Sequence, residues 1–310
     1  MKAVLLFTVF AVTLAIANAQ EQRNVSTESL AEDLKKLIVI NSSTPGLITL
    51  AVPEAVNINS NATVSQVIEI TAPYLKARTV NTKTLCLDLL ANALFKRAVT
   101  SEERRPVVEI ICRHYLDNDY DLQVTDNILL QLQEKDFTPV AKKYIAALTI
   151  PSIKFSYDIV ARLSAIAQIK TSIPALWKIA NKDIATLSRA EVDVLASLAR
   201  LGEEKAGILL CNFFNSTINR TSYKYLYNTD HLAFSLDKNV LNCLITDLQS
   251  IDTTIHFRDY DTFDYPAQRL AGNIFLMLNN YPFAKNSYEV EPKQFLAWLG
   301  KTNSLELREK

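Results

Sequence analysis

The stretch HFRDYDTFDYP at residues 256–266 concentrates side chains that could do chemistry: one histidine, one arginine, three aspartates and four aromatic residues. A histidine beside carboxylates can bind a divalent metal or transfer protons. The aspartates have the spacing D-x-D-x-x-D, but the glycine and the terminal glutamate of an EF-hand calcium loop are absent. The favoured interpretation is a connection whose aspartates cap turns or the next helix and whose aromatic residues anchor it.

A second aromatic segment covers residues 215–238 and is predicted to be either a distorted helix or a longer loop. If it meets the first segment, the histidines and carboxylates of the two would form one polar cluster. Tyrosine and arginine are favoured at the centres of interfaces, so we expect a recognition surface here before an active site. The residues of this predicted surface are Tyr223, Tyr225, Tyr227, His231, His256, Arg258, Asp259, Tyr260, Asp261 and Asp264.

The sequence argues against several classes of function. It contains no G-x-G-x-x-G, G-x-x-x-x-G-K-S/T, H-E-x-x-H or G-x-S-x-G motif. Its three histidines include no pair at the i, i+4 spacing that would place two metal ligands on one helical face. Basic and acidic residues number 33 each, which leaves no excess of positive charge for nucleic acid. We therefore assign no catalytic residue, cofactor or metal ligand, and we expect no nucleic-acid partner.

The first 19 residues have the three parts of a secretory signal peptide: Lys2, a mainly apolar run at residues 4–16, and an A-N-A cleavage motif. The run is shorter than the roughly 20 residues that span a bilayer. Such a signal would direct the chain to the periplasm or the extracellular space, with cleavage between Ala19 and Gln20. Later apolar runs are also shorter than a membrane helix requires, so we expect no membrane span in the mature chain.

The four cysteines include no C-x-x-C pair, which argues against a zinc knuckle or a redox motif. Cys86 and Cys112 lie at mirrored distances from a turn predicted near residue 99, so a disulfide between them is one alternative. Packed helix axes are about 8–10 Å apart, however, whereas a disulfide needs Cα atoms within about 7 Å. Two buried thiols are therefore the favoured interpretation.

Composition and periodicity predict an all-α fold. Glycine is scarce, with 5 residues, whereas hairpins, β-barrels and phosphate-binding loops depend on glycine. Residues 20–61 are expected to form an N-terminal extension with one helix and a connection, and helical periodicity then continues over residues 62–310. The predicted helices cover 63–77, 81–98, 103–117, 122–134, 138–149, 155–168, 173–183, 188–201, 203–216, 237–250, 266–280 and 292–299. Prolines expected in first turns are Pro106, Pro139, Pro174, Pro266 and Pro292.

Helical segments recur at a nearly constant spacing. Residues 165–176 align with residues 197–208 at a shift of 32, with matching apolar positions. The stretch EVDVLASLARLGEEKAGILL at residues 191–210 resembles a HEAT repeat, and the resemblance is clearest over residues 155–216. It implies an α-solenoid of antiparallel helical hairpins that pack face to face. Residues 217–236 depart from the pattern and are expected to break the period.

The leading functional hypothesis is an exported, non-catalytic scaffold whose solenoid surface binds a protein or peptide. A fold alone does not fix a function, and two alternatives stay open. One is an all-helical hydrolase or lyase that acts on a polysaccharide through the carboxylates near residues 259–264. The other is a structural component of an envelope complex.

Overall fold

The structure is a computed structural model. It describes residues 63–76, 100–115, 132–148, 157–180, 187–217, 223–251, 257–259, 262–264, 266–302 and 304–308, with residues 32, 36, 83, 86, 87 and 89–91. The predicted signal peptide, its cleavage site and the connection that follows the first predicted helix lie outside the described residues. The chain divides into two compact units, residues 1–131 and residues 132–310.

The first unit contains two described α-helices, α1 (Val64–Thr71) and α2 (Ser101–Tyr115), which contact each other. A capping box begins α2: the Glu103 amide donates to Thr100 Oγ1 at 3.3 Å, and the Thr100 amide donates to Glu103 Oε2 at 3.1 Å. Because this cap begins the helix earlier than expected, Pro106 lies inside α2. The prediction that Pro106 occupies the first turn is therefore wrong, and one helical hydrogen bond is lost there.

Cys86 and Cys112 are buried in the first unit as free thiols. The alternative of a disulfide between them is wrong, and the favoured interpretation of two buried thiols is confirmed. Burial raises the pKa of Cys86 to about 12. Burial, with the nearby charge of Glu109 as a second cause, raises the pKa of Cys112 to about 12. Both thiols consequently stay protonated at neutral pH and are poor nucleophiles.

The second unit is built from helices. They are α3 (Pro139–Leu148), α4 (Tyr157–Ile166), α5 (Ile173–Ile179), α6 (Arg189–Arg200), α7 (Glu204–Thr217), α8 (Tyr223–Phe234), α9 (Lys238–Ser250), α10 (Pro266–Met277) and α11 (Pro292–Leu299). Among the described residues of this unit, all of the helices except α8 match predicted segments. Pro139, Pro174, Pro266 and Pro292 lie in first turns, as expected. The predicted all-α class is confirmed for the described residues, apart from one short β-hairpin.

The segment expected to break the repeat period contains a helix, α8, which agrees with the helical alternative for residues 215–238 rather than with the longer loop. Leu232 and Ala233 are buried on α8, and Leu236 is buried just after it. Asp237 then caps α9 by accepting hydrogen bonds from the backbone amides of Asn239 at 2.9 Å and Val240 at 3.2 Å. The aromatic residues of this segment obscured a helix whose apolar positions pack into the core.

Alternate helices of the second unit pack side by side. α4 contacts α6, α6 contacts α8, and α8 contacts α10, while α7 contacts α9. A single core of buried apolar side chains extends over residues 161–295, with Leu195 and Leu198 of α6 fully buried in it. On α5, the ring of Trp177 packs against this core, and its Nε1–H donates to Glu203 Oε2 at 2.9 Å. That bond joins α5 to the residue preceding α7.

A two-stranded antiparallel hairpin precedes α10 and consists of β1 (Phe257–Asp259) and β2 (Thr262–Asp264). Phe257 pairs with Asp264, Arg258 with Phe263, and Asp259 with Thr262. The scarcity of glycine had argued against such hairpins, and this one forms in a segment without glycine. The segment is therefore partly ordered as strands and is more than an irregular connection.

The structure contains, within its described residues, no helix long and apolar enough to cross a membrane.

Candidate functional site

The structure describes the predicted recognition surface only in part. Tyr223, Tyr225 and Tyr227 belong to the first turns of α8, while Arg258, Asp259 and Asp264 belong to the hairpin, and these six are described by their backbone alone. His256, Tyr260 and Asp261 lie outside the described residues. His231 is described in full. Whether the two segments form one surface therefore stays a prediction.

His231 is buried between helices and is paired with a carboxylate that the sequence analysis did not select. Its Nδ1 lies 2.6 Å from Oδ1 of Asp193 on α6, a hydrogen bond in which the ring donates to the carboxylate. His231 is 5% exposed and Asp193 is 2% exposed. Asp193 stands between Val192 and Val194, so a carboxylate inside an apolar run was the available signal for a buried partner.

Two arginines extend this pair toward neighbouring helices. Nη1 of Arg162, on α4, lies 3.6 Å from Oδ1 of Asp193. The guanidinium carbons of Arg162 and Arg200 lie 4.5 Å and 4.7 Å from the centre of the Phe234 ring. Arg200 Nη1 also donates to the backbone oxygen of Phe234 at 3.2 Å. The cluster of Arg162, Asp193, Arg200, His231 and Phe234, here called the charged cluster, joins α4, α6 and α8.

Burial has an electrostatic cost for the two arginines of the charged cluster. Burial lowers the pKa of Arg162, and the charge of Asp193 acts in the opposite direction. Burial, with the positive charge of Arg162 as the second cause, lowers the pKa of Arg200 to about 10. Both groups stay charged at neutral pH, so the cluster depends on Asp193, the Phe234 ring and the Phe234 carbonyl for compensation.

A second polar cluster joins α8 to α10. Arg269 donates to both carboxylate oxygens of Asp230, from Nε at 3.3 Å and from Nη2 at 2.6 Å. The side-chain amide of Asn273 donates to Asp230 Oδ1 at 2.8 Å and to Thr229 Oγ1 at 2.9 Å. A two-pronged arginine–carboxylate pair has strict geometry, so it fixes the position of one helix against the other. Together the two clusters connect four helices that pack in sequence: α4, α6, α8 and α10.

These clusters bring together groups that could transfer a proton, but their members are engaged with one another. His231 donates to Asp193, and Asp230 accepts from Arg269 and Asn273. Among the described residues, no group of three or more histidine, cysteine, aspartate or glutamate side chains is placed to hold a metal ion. The geometry therefore favours a role in holding helices together over a role in acid–base chemistry.

A groove of about 490 Å³ lies between α7 and α9. Its polar lining consists of Asn212, Asn215, Asn239, Asn242, Thr246 and Ser250, with the carboxylate of Asp247. Ile208, 46% exposed, contributes an apolar side chain. The lining includes neither lysine nor arginine and no aromatic residue. The groove is thus an amide-rich and nearly uncharged site, and the sequence analysis did not select any of its residues.

A disulfide joins the two walls of this groove, between Cys211 of α7 and Cys243 of α9. The two Cα atoms lie 6.0 Å apart, within the usual range for a disulfide. This pair was not predicted from the sequence, although its separation of 32 residues equals the shift at which residues 165–176 align with residues 197–208. In repeat proteins, equivalent positions of successive repeats lie side by side, so the predicted repeat spacing was the available signal.

Comparisons with models of protein families, with curated proteins and with solved structures found no match to this chain.

Proposed function

We propose that this chain is an exported, non-catalytic scaffold with a HEAT-like solenoid arrangement, and that it binds a protein or peptide partner. The arrangement is supported by the order of packing, because α4, α6, α8 and α10 contact one another in sequence while α7 contacts α9. Helical hairpins that contact mainly their neighbours are the defining feature of a solenoid. The Cys211–Cys243 bridge agrees with the same repeat spacing.

The observation that carries the binding role is the groove between α7 and α9. Solenoids use extended surfaces formed by one set of parallel helices to bind other polypeptides. Here the surface is a concave site with exposed amide groups on both walls and a covalent bridge that ties the walls together. Side chains of a partner that entered the groove would meet polar groups of fixed position.

Export is supported by the signal-like first 19 residues and is compatible with the disulfide. Disulfides persist mainly in oxidising compartments outside the cytosol. Expression of the full chain in secreting cells tests this part of the proposal. The expected product is a protein in the medium whose first residue is Gln20. Retention of an uncleaved chain inside the cells would contradict export.

Site-directed photo-crosslinking tests the binding role. A photoreactive amino acid is placed at Asn242, which lines the groove, and in a separate variant at Gln249, an exposed residue of α9 that does not line it. After incubation with extracellular fluid or envelope extract of the native source, we expect a discrete adduct from position 242 and none from position 249. Equal labelling from both positions, or no protein adduct from either, would reject the groove as a binding surface.

A further inference from the structure

We propose that the groove between α7 and α9 binds the backbone of an extended, uncharged polypeptide segment through its asparagine side chains. This inference rests on the proposed binding role and adds the chemical class of the ligand. It follows from the type, the spacing and the hydrogen-bonding state of the groove residues.

The asparagines of the groove offer the groups that a peptide backbone needs. A side-chain amide carries a donor and an acceptor, so it can pair with the carbonyl and the N–H of a peptide group together. Asn212 and Asn242 are exposed and Asn239 is half-buried. Within the described chain, the side-chain amides of these three residues make no hydrogen bond, so they are available to a ligand. On α7, the Asn215 amide has two long contacts of 3.6 Å, from its nitrogen to Cys211 Sγ and from its oxygen to Cys243 Sγ.

The spacing of the polar residues fits an extended chain. Asn239, Asn242, Thr246 and Ser250 follow one another at steps of three or four residues, which places them on one face of α9. They extend over about 16 Å of helix axis, the length of about five residues of a β-strand. Asn212 and Asn215 form a second, shorter row on α7. A strand that lay over the disulfide, along the open side of the groove, would find amide partners on both edges.

The composition of the lining disfavours other ligand classes. Phosphates and nucleic acids need lysine or arginine, and the lining has neither. Its single carboxylate, Asp247, is too little for a divalent cation. A charged peptide would find no ion-pair partner other than Asp247. A peptide backbone can form hydrogen bonds with the asparagine amides without any charged group in the ligand. Ile208 adds an apolar contact for one side chain of the ligand.

Selection from a random heptapeptide library tests this proposal. The full-length, disulfide-intact protein is the target, and enriched peptides are synthesised in plain and backbone N-methylated forms. Dissociation constants are measured for the wild type, for N239L/N242L, and for the control variant Q249L, which removes an exposed amide of α9 outside the groove. Circular dichroism and thiol titration confirm that each variant is folded and oxidised.

The expected result is that plain peptides bind the wild type and Q249L with equal affinity. Loss of two amides, each making about two hydrogen bonds, should weaken binding to N239L/N242L by roughly thirtyfold or more. N-methylation should weaken binding to a similar extent, because it removes backbone donors and leaves the side chains unchanged. These results together would support backbone recognition in the groove.

Three results would overturn the inference. They are the enrichment of no peptide, equal affinity of peptides for N239L/N242L and the wild type, and competition for the groove by uncharged oligosaccharides but not by peptides. If the peptide experiments reject backbone recognition, the photo-crosslinking experiment with native partners shows whether the scaffold proposal fails as well. A protein adduct outside the groove would leave the scaffold role standing, although it would reject the groove as its site.

Discussion

Removal of the Cys211–Cys243 disulfide is the sharpest test of how the second unit is held together. The bridge closes a segment of 32 residues that contains the whole of α8. Chain-entropy arguments give a stabilisation of about 3.7 kcal/mol for a loop of this length. For a unit that spans residues 132–310, a loss of that size corresponds to a fall of roughly 7–15 °C in Tm. Cys211 is half-buried, but Cys243 is buried in the core, so its substitution by alanine adds a further cost from lost packing.

Thermal unfolding followed by circular dichroism measures this effect in the wild type and in C211A/C243A, each with and without a reductant. We expect the reductant to lower the Tm of the wild type toward that of C211A/C243A, and to leave the variant unchanged. The variant is the internal control, because Cys86 and Cys112 remain in it as free thiols. A wild-type Tm that does not respond to complete reduction would refute the claim that the bridge constrains the unfolded chain.

The remaining predictions concern buried groups. D193A should lower the free energy of unfolding by roughly 3–5 kcal/mol in urea titrations, because it removes the buried carboxylate that pairs with His231 and lies 3.6 Å from Arg162, and D193N should lower it less. G272A should cost about 1–3 kcal/mol, because its Cβ would lie 2.5 Å from a backbone oxygen, whereas G300A, with a nearest atom at 3.7 Å, should be almost neutral. Equal losses from G272A and G300A would contradict the packing described here. Burial raises the pKa of Cys86 and Cys112 to about 12, so the folded state retains protons that the unfolded state releases above pH 9. Their contribution to stability is therefore complete below pH 9 and decreases by about 1.4 kcal/mol per thiol per pH unit above it. Urea titrations at several alkaline pH values should show a shallower decline for C86A/C112A than for the wild type.

The helices of the second unit could be predicted because their signals are local. Apolar periodicity and first-turn prolines depend on residues a few positions apart, and Pro139, Pro174, Pro266 and Pro292 stand where expected. Pro106 shows the limit of such rules, because the capping box at Thr100 acted as a stronger start signal. The helix α8 was obscured since aromatic residues are common both in loops that cover a core and in helices that build one.

The sites were harder to predict because they depend on which helices become neighbours. Asp193 and His231 are separated by 38 residues, and nothing local to either residue identifies the other. The groove asparagines are ordinary exposed residues of two helices until α7 and α9 are placed side by side. The disulfide could have been found from the sequence, since its spacing equals the repeat shift. Such a prediction would have placed residues that lie one repeat apart in the sequence next to each other in space.

The charged cluster and the disulfide constrain different helices of the second unit. The charged cluster and the Asp230–Arg269 pair connect α4, α6, α8 and α10, whereas the disulfide connects α7 and α9. The interactions of buried Asp193 contribute little net stability compared with apolar packing, and we expect them, together with the partly exposed Asp230–Arg269 pair, to favour one arrangement of the helices through their geometry. The disulfide restricts the separation of the groove walls in addition. A groove whose walls are already fixed loses less entropy when a ligand is ordered in it. This is the physical reason to look for the binding surface between α7 and α9 before the hairpin at residues 257–264.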